Sequence, residues 1–198
     1  YASGLENSES DERSDALLRQ AEVAVGKLPD GPAAHPHMVA WAEVYRALGS
    51  NPDKYKNGCL ALSQRAPAPR INALVDVYNA ISMLHMLPLG GEDWDTLAGE
   101  LILKRASGGE AFDPGGGRRV ESVPAGEAVW VDVAGVTTRR FNWRQCRRTQ
   151  ITPATRAAYF VFDVVPPFSQ REVEAAADEL TQHLKARCPA AELSLAYL

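Results

Sequence analysis

The sequence contains a basic and aromatic segment, residues 135–156, which reads GVTTRRFNWRQCRRTQITPATR. The segment holds six arginines and no aspartate or glutamate, although the whole chain has a formal net charge of −4 and a pI near 5.6. Phe141 and Trp143 stand among the arginines. Arginines bind phosphates and flat rings stack on bases, so the composition favours a single-stranded nucleic-acid end as ligand. An anionic small ligand and a solvated basic surface without a ligand are the alternatives.

A second polar pattern lies in RINALVDVYNAISMLHML, residues 70–87, whose apolar residues recur at helical spacing. Asn72, Asp76 and Asn79 follow one another at spacings of four and three, which places them along one stripe of that helix. Asparagine and aspartate are poor helix formers, so the stripe is expected to hydrogen-bond something specific. Buried structural hydrogen bonds and a ligand pocket both satisfy this expectation.

The common catalytic motifs are absent from the sequence: it has no GxSxG, HExxH, P-loop, GxGxxG or CxxC pattern. Three widely separated cysteines show neither a disulfide framework nor metal-ligand spacing, which favours a reducing, cytoplasmic location without a bound metal. His35 and His37 are interpreted as solvated residues at a helix start. No apolar run approaches the length of a membrane span, so no membrane partner is expected.

Helices dominate the first half of the chain and short β-rich segments the second, which predicts an α+β fold in a single domain over residues 1–198. Tyr1-Ala2-Ser3-Gly4 resembles the end of a strand, and a further upstream strand is expected. The predicted helices are 8–28, 35–49, one opened by Asn51-Pro52 and continuing past Leu62, 70–87, and 166–188 with a capping box at Ser169 and Glu172. The predicted strands are 101–106, 128–136, 159–165 and 192–198.

Two of these blocks, NALVDVYN (72–79) and PLGGEDWDTLAGELILKRASGGE (88–110), resemble the B3/B4 domain of the bacterial phenylalanyl-tRNA synthetase β subunit. That family has segments such as NNVVDVTN and PLHAFDLDKL in the same order. The AGV at 134–136 and Thr155 before YFVFD match later parts of the pattern. The likeness is closer to free-standing B3/4-domain proteins, which carry an RRFNWRQ-like block, and it covers nearly the whole chain.

The resemblance implies a layered β/β/α fold with mixed sheets packed against helices. It also implies a trans-editing hydrolase that deacylates mischarged aminoacyl-tRNA, since the synthetase domain removes tyrosine wrongly attached to the phenylalanine tRNA. No cofactor is implied. The family's pocket asparagine falls on Asn79, the threonine before it on Tyr78, and the family's histidine on Gly90. Tyr78 is expected to reshape the amino-acid pocket.

On this interpretation, the chemistry consists of positioning water and stabilising an oxyanion, because the aminoacyl ester is already activated. Amide donors can serve in place of the missing histidine, and the expected catalytic residues are Asn79, Asn142 and Gln145. The expected substrate-binding residues are Asn72, Asp76, Tyr78, Gly90 and Gly135. The 3′ acceptor end of the tRNA is expected to bind Arg139, Arg140, Phe141, Trp143, Arg144, Arg147 and Arg148. As surface charges, these arginines should contribute little to folding stability.

Two other functions remain open from the sequence. One is an RNA-binding module without catalysis, which the loss of the histidine favours. The other is a small amino-acid- or nucleoside-binding protein that uses the same pocket. A general base near Asn79 would distinguish the hydrolase from the first, and the salt dependence of RNA binding would distinguish the first from the second.

Overall fold

The computed structural model describes residues 1–65 and 67–197, which form five α-helices and ten strands. The helices are α1 (Glu12–Gly26), α2 (Pro36–Ala47), α3 (Gly58–Ser63), α4 (Ala73–His85) and α5 (Gln170–Arg187). The strands are β1 (Ala2–Ser3), β2 (Leu89–Asp93), β3 (Ile102–Arg105), β4 (Ala111–Phe112), β5 (Glu121–Ser122), β6 (Ala128–Asp132), β7 (Gly135–Arg139), β8 (Arg144–Gln145), β9 (Ala157–Phe162) and β10 (Glu192–Leu193). None of the helices formed by these residues is both long enough and apolar enough to cross a membrane.

The strands form two four-stranded sheets and a two-stranded ribbon. The first sheet has the order β10-β1-β9-β2, the second β3-β6-β7-β8, and the ribbon pairs β4 with β5. The α+β class is confirmed, but the expected mixed pairing is wrong, because every pairing in the described part of the chain is antiparallel. The predicted strand 128–136 turns at Val133 and Ala134, which makes β6 and β7 a hairpin.

Local capping signals determine where the long helices begin. The Ser169 side chain accepts a hydrogen bond from the Glu172 N–H and the Glu172 side chain bonds back to the Ser169 backbone, so the predicted capping box starts α5. Asp11 and Ser14 do the same for α1. The third helix is shorter than predicted, because residues 51–57 form turns and Asn57 caps a helix that starts only at Gly58.

Helix α4 lies at the centre of the main core. It contacts α1, α5, α3 and β2, and its residues are buried on nearly every side, including Leu74, Ile81 and Met83. His37 packs beside the end of this helix: its Nδ1 lies 3.0 Å from the Met86 carbonyl oxygen and it is 1% exposed. The interpretation of His37 as a solvated residue is therefore wrong.

Strand β2 was not predicted from the sequence, and it forms the free edge of the first sheet beside α4. A Cβ atom on Gly91 would lie 2.6 Å from Ile151 Cδ1 and 3.0 Å from a Tyr78 ring carbon, so only glycine allows this close packing. Around Gly90 a Cβ would meet nothing within 4 Å. The two glycines thus separate a packed face of β2 from an open one. Leu198, the last residue of the predicted strand 192–198, lies outside the described residues.

Candidate functional site

The open face of β2 borders a cavity of about 310 Å³. Its walls come from the two sheets, from α3 and from α4. The residues predicted from the sequence that line it are Tyr78, Asn79, Gly90, Phe141, Asn142, Trp143, Arg144 and Gln145. The cavity therefore brings Asn79 of α4 and the basic segment together. The roles predicted for these residues remain predictions.

Residues 140–143 connect β7 to β8 and form one wall of this cavity. Arg140 and Phe141 have φ angles of 50° and 67°, a left-handed conformation that side chains other than glycine adopt at a cost. The Phe141 ring packs 5.2 Å from the ring of Trp41, measured between centroids. The Gly58 N–H donates to the Asn142 carbonyl oxygen at 3.0 Å, which ties the loop to α3. These contacts hold the strained loop in place.

Two asparagines present polar groups to the cavity. Tyr45 Oη donates to Asn142 Oδ1 at 2.9 Å, and this bond turns Asn142 Nδ2 away from Tyr45. Asn142 Nδ2 is buried and has no hydrogen-bond partner among residues 1–65 and 67–197. Asn79 lines the same cavity from α4. Burial raises the pKa of the Tyr45 phenol, with a further contribution from the charge of Asp163, so Tyr45 stays a proton donor.

Gln145 also reaches the cavity, but its donors are already used. Its Nε2 lies 2.8 Å from the Gly91 carbonyl oxygen, 2.6 Å from Glu92 Oε2 and 2.9 Å from the Thr149 carbonyl oxygen. An NH₂ group has only two hydrogens, so nothing is left to stabilise an oxyanion. The structure therefore gives no support to the prediction of Gln145 as a catalytic donor, and its amide instead joins the edge of β2 to β8.

Sequence reasoning missed Glu92, a carboxyl group in the cavity wall. Thr138 Oγ1 donates to Glu92 Oε1 at 3.0 Å, and Gln145 donates to the other oxygen. Burial raises the pKa of Glu92 to about 7, although these hydrogen bonds act in the opposite direction. Alternating polarity along the strand could have indicated this residue, but the Gly-Gly pair before it concealed the strand.

Asp163, a second cavity carboxyl, was missed as well. It follows β9, and its backbone N–H donates to the Pro88 carbonyl oxygen at 2.9 Å. Burial raises the pKa of Asp163 to about 7, and the nearby Asn142 amide lowers it in part. The amide does not reach normal hydrogen-bond geometry, since Asn142 Nδ2 has no partner within the described part of the chain. Asp163 and the Nδ2 group of Asn142 therefore lie close together without completing a hydrogen bond in the described residues.

The arginines of the basic segment are largely paired inside the protein, which corrects their interpretation as solvated surface charges. Arg139 is 5% exposed, and its guanidinium binds the Glu127 carboxylate at 2.7 Å and also pairs with Glu121. Arg140 lies 2.7 Å from Glu127, and its guanidinium carbon is 3.7 Å from the centroid of the Tyr55 ring. The segment has no acids of its own because its acidic partners come from the preceding ribbon and turn.

Two further arginines differ in their surroundings. Arg148 forms a bidentate ion pair with Asp132, with N–O distances of 2.7 and 2.8 Å. This ion pair lies outside the cavity lining. Arg144 lines the cavity, pairs with Glu121 at 3.0 Å and stacks 4.1 Å from the Trp143 ring. Burial lowers the pKa of Arg144, and the like charges of Arg118 and Arg139 contribute to the same effect. Positive charge is therefore concentrated beside the cavity.

Two exposed arginines lie near Arg144. Arg147 is exposed, and its side-chain carbons pack against Gly115, while the Arg118 N–H donates to the Gly115 carbonyl oxygen. We call the exposed pair Arg118 and Arg147 the basic patch. Arg118 was not predicted to bind tRNA, because it lies outside the basic segment.

Three of the predicted substrate-binding residues form hydrogen bonds within the protein away from the cavity. Asn72 caps α4 through the Val75 N–H and donates to the Ile151 carbonyl oxygen. Asp76 is fully buried and accepts from Ser14 and from the Ile71 N–H. Gly135 starts β7, where its N–H bonds to Asp132. None of the three lines the cavity within the described residues.

Comparisons with known proteins identify the family of this chain. A search of curated proteins gave no match. Among solved structures, an N-terminal fragment of the phenylalanyl-tRNA synthetase β subunit from Pyrococcus horikoshii is similar, with 14% identity and a TM-score of 0.45. That alignment covers 58% of this chain and 40% of the synthetase fragment. The family model of the B3/4 domain matches residues 40–188, a range that contains the whole cavity lining, and the chain therefore belongs to the B3/4 domain family.

Proposed function

We propose that this protein hydrolyses the ester bond of mischarged aminoacyl-tRNA, acting as a free-standing editing enzyme. The observation that carries the proposal is the shared cavity, which is lined by Asn79, by Arg144 and by Asn142, whose Nδ2 has no hydrogen-bond partner in the described residues. An aminoacyl ester needs a pocket for its amino acid and a donor for the oxyanion that forms when water attacks. Both requirements can be met in this cavity.

The amino acid would enter the part of the cavity bordered by Gly90, Tyr78 and Val161. This region combines apolar walls with the open space at Gly90, where a Cβ atom would have no neighbour within 4 Å. A cavity of about 310 Å³ is at the small end of ligand sites, which favours one amino-acid side chain and its ester over a larger ligand.

The acceptor end would lie across Arg144 and the basic patch. Arg118 and Arg147 are exposed and can reach phosphates, whereas Arg139 is held by two carboxylates inside the protein. The tRNA site proposed here is therefore narrower than the basic segment itself. Trp143, which lines the cavity beside Arg144, would stack on the terminal base.

The test is to incubate the protein with a panel of mischarged tRNAs and measure release of each amino acid. Release of at least one amino acid, faster than in buffer and slowed by Asn79→Ala, supports the proposal. Asn51→Ala provides a matched control, since Asn51 is exposed and lies outside the cavity lining. Equal release with Asn79→Ala and with the unchanged protein would contradict the role of the site.

One observation favours a second function, the binding of a small amino acid or nucleoside. Arg139, Arg140 and Arg148 are engaged in internal ion pairs, which leaves fewer cations for a long polyanion. Calorimetric titration with free amino acids and nucleosides, alongside uncharged tRNA, separates the two functions. Micromolar binding of the small ligand, together with tRNA binding that is absent at every salt concentration, would establish the second.

A further inference from the structure

The cavity contains two carboxyl groups, and their hydrogen bonds differ. Both oxygens of Glu92 accept hydrogen bonds, one from Thr138 and the other from Gln145. Asp163 has only the Asn142 amide near it, and that contact does not reach normal geometry in the described part of the chain. Asp163 therefore has more unused acceptor capacity than Glu92 for a group that enters the cavity.

A hydrogen bond from α2 determines the orientation of the Asn142 amide beside Asp163. Tyr45 remains protonated and donates to Asn142 Oδ1, so the Asn142 amide points its Nδ2 hydrogens in another direction. The site consequently offers one donor and one carboxylate to the same small volume. A group that accepts from the donor and donates to the carboxylate satisfies both, and a water molecule does this.

We propose that Asp163 is the general base of this site and that Asn142 holds the attacking water against it. This inference rests on the proposed hydrolase function. The water oxygen bonds to the ester carbonyl carbon while one water proton passes to Asp163. The carbon–oxygen bond to the ribose then breaks, and the ribose oxygen takes a proton from Asp163. The products are the free amino acid and tRNA with its terminal hydroxyl restored, and the carboxylate is regenerated.

The positions of Asn79 and Tyr45 are consistent with this mechanism. Asn79 approaches from α4 and is available as the oxyanion donor, so base and donor come from different walls of the cavity. A general base works best when its pKa lies near the operating pH, and the pKa of Asp163 is raised to about 7 by burial. Tyr45 acts through Asn142 and is a positioning residue.

Other titratable and charged groups surround the same cavity, and a pH profile has to be assigned among them. They are Tyr45 from α2, Arg65 after α3, Tyr78 from α4, Glu92 from β2 and Arg144 from β8. Burial raises the pKa of both tyrosines, which places their titration well above neutral pH. Glu92 is the one group of this set whose pKa, also raised to about 7, could imitate Asp163.

The experiment measures single-turnover release of the amino acid between pH 5 and 9, after subtraction of the reaction in buffer, for the unchanged protein, Asp163→Asn and Glu92→Gln. We expect the rate of the unchanged protein to rise with pH and level off above about pH 7. Asp163→Asn should reduce the rate by about 10²- to 10⁴-fold and remove the inflection. The inflection should persist in Glu92→Gln.

Binding is measured in parallel with tRNA that carries the amino acid through a non-hydrolysable amide link, and we expect its Kd to change by less than about threefold in Asp163→Asn, because a base acts on the water. A loss of affinity equal to the loss of rate would overturn the assignment and make Asp163 a substrate-binding group. Hydrolysis by the unchanged protein with an unaffected Asp163→Asn variant would overturn this inference alone. No hydrolysis of any mischarged tRNA by the unchanged protein would overturn the proposed function, and this inference with it.

Discussion

Glu92 and Asp163 both have pKa values raised to about 7 by burial, yet they lie in different surroundings. Glu92 is held by Thr138 and Gln145, whereas Asp163 faces an amide that does not complete a hydrogen bond. A raised pKa alone therefore does not distinguish a structural carboxyl from a reactive one. Unused hydrogen-bonding capacity is a better guide, because a group with few protein partners can bind a substrate without disturbing existing hydrogen bonds.

The same comparison applies to the amides and the arginines. Gln145 and Arg139 bind several protein acceptors, while Asn142 Nδ2 has none in the described residues and the basic patch is exposed. The proposed division gives structural roles to the groups whose hydrogen bonds are used within the protein and ligand-binding roles to the groups that have hydrogen-bonding capacity left. The following predictions test that division, beginning with the largest expected effect.

Arg139→Ala should lower the free energy of unfolding by about 3 kcal/mol, because it removes one partner of a buried ion pair. Glu127, whose side chain is 2% exposed, keeps Arg140 as its partner afterwards. Urea denaturation measures the effect, and Arg147→Ala is the control, expected to change stability by less than about 0.5 kcal/mol. Equal stability of the two variants would show that Arg139 behaves as a surface charge after all.

Asn79→Ala should slow deacylation by about a hundredfold, as expected for removal of one oxyanion donor. Its effect on the affinity for tRNA should be much smaller, since the oxyanion exists only in the transition state. Single-turnover kinetics and filter binding measure the two quantities. A proportional loss of affinity would move Asn79 into the group of residues that bind the ground state.

Asp163→Asn should raise stability at pH 8 by about 1–2 kcal/mol. The pKa of Asp163 is raised from 3.8 to about 7 in the folded protein, so the native state binds an extra proton between those values. Stability is therefore lost as the pH rises from about 4 to 7, and the uncharged variant escapes this loss. Thermal melts of the variant and of the unchanged protein at pH 4 and pH 8 test this prediction. The variant should be the more stable of the two only at pH 8.

Glu92→Gln sharpens the same comparison. The substitution removes a buried charge but places an amide where Gln145 and Thr138 now donate, so its gain at pH 8 should be smaller than that of Asp163→Asn. An equal or larger gain would indicate that the hydrogen bonds to Glu92 contribute little.

Replacing both arginines of the basic patch, Arg118 and Arg147, with alanine should reduce the slope of log K against log salt for tRNA binding by up to about two units, one for each phosphate contact. Stability should change little, because both side chains are exposed. Fluorescence titrations at several salt concentrations measure the slope. An unchanged slope would place the acceptor end elsewhere on the protein.

Features with a local cause could be predicted from the sequence. The starts of α2 and α5 follow from Pro36 and from the Ser169–Glu172 capping box, and the β-rich segments after residue 100 became β3, β6, β7 and β9. Strand β2 could not be predicted, since Gly90 and Gly91 have low strand propensity and the tertiary packing of Gly91 against Tyr78 is not visible in the sequence. Missing β2 also meant missing Glu92.

Residues of the site could be predicted only where the sequence of a single helix or loop was sufficient to identify them. Asn79 and the segment around Asn142 were identified because each is polar in an unusual setting, and the cavity brings them together. The partners of Arg139 lie 12 and 18 residues earlier in the chain, and no spacing rule connects them. Whether a polar group is saturated depends on such tertiary contacts, so Asn72 and Gln145 could not be separated from Asn79 by sequence alone.

The two neighbouring glycines of β2 set unequal limits on how this protein can vary. A side chain at Gly91 would collide with Ile151 and Tyr78, whereas one at Gly90 would extend into empty space. Size changes at position 90 are therefore available to evolution or to an engineer at little cost to the core. Substitutions at this single position can therefore change the cavity volume available to a bound molecule in steps of one methyl group, while the rest of the cavity wall stays fixed.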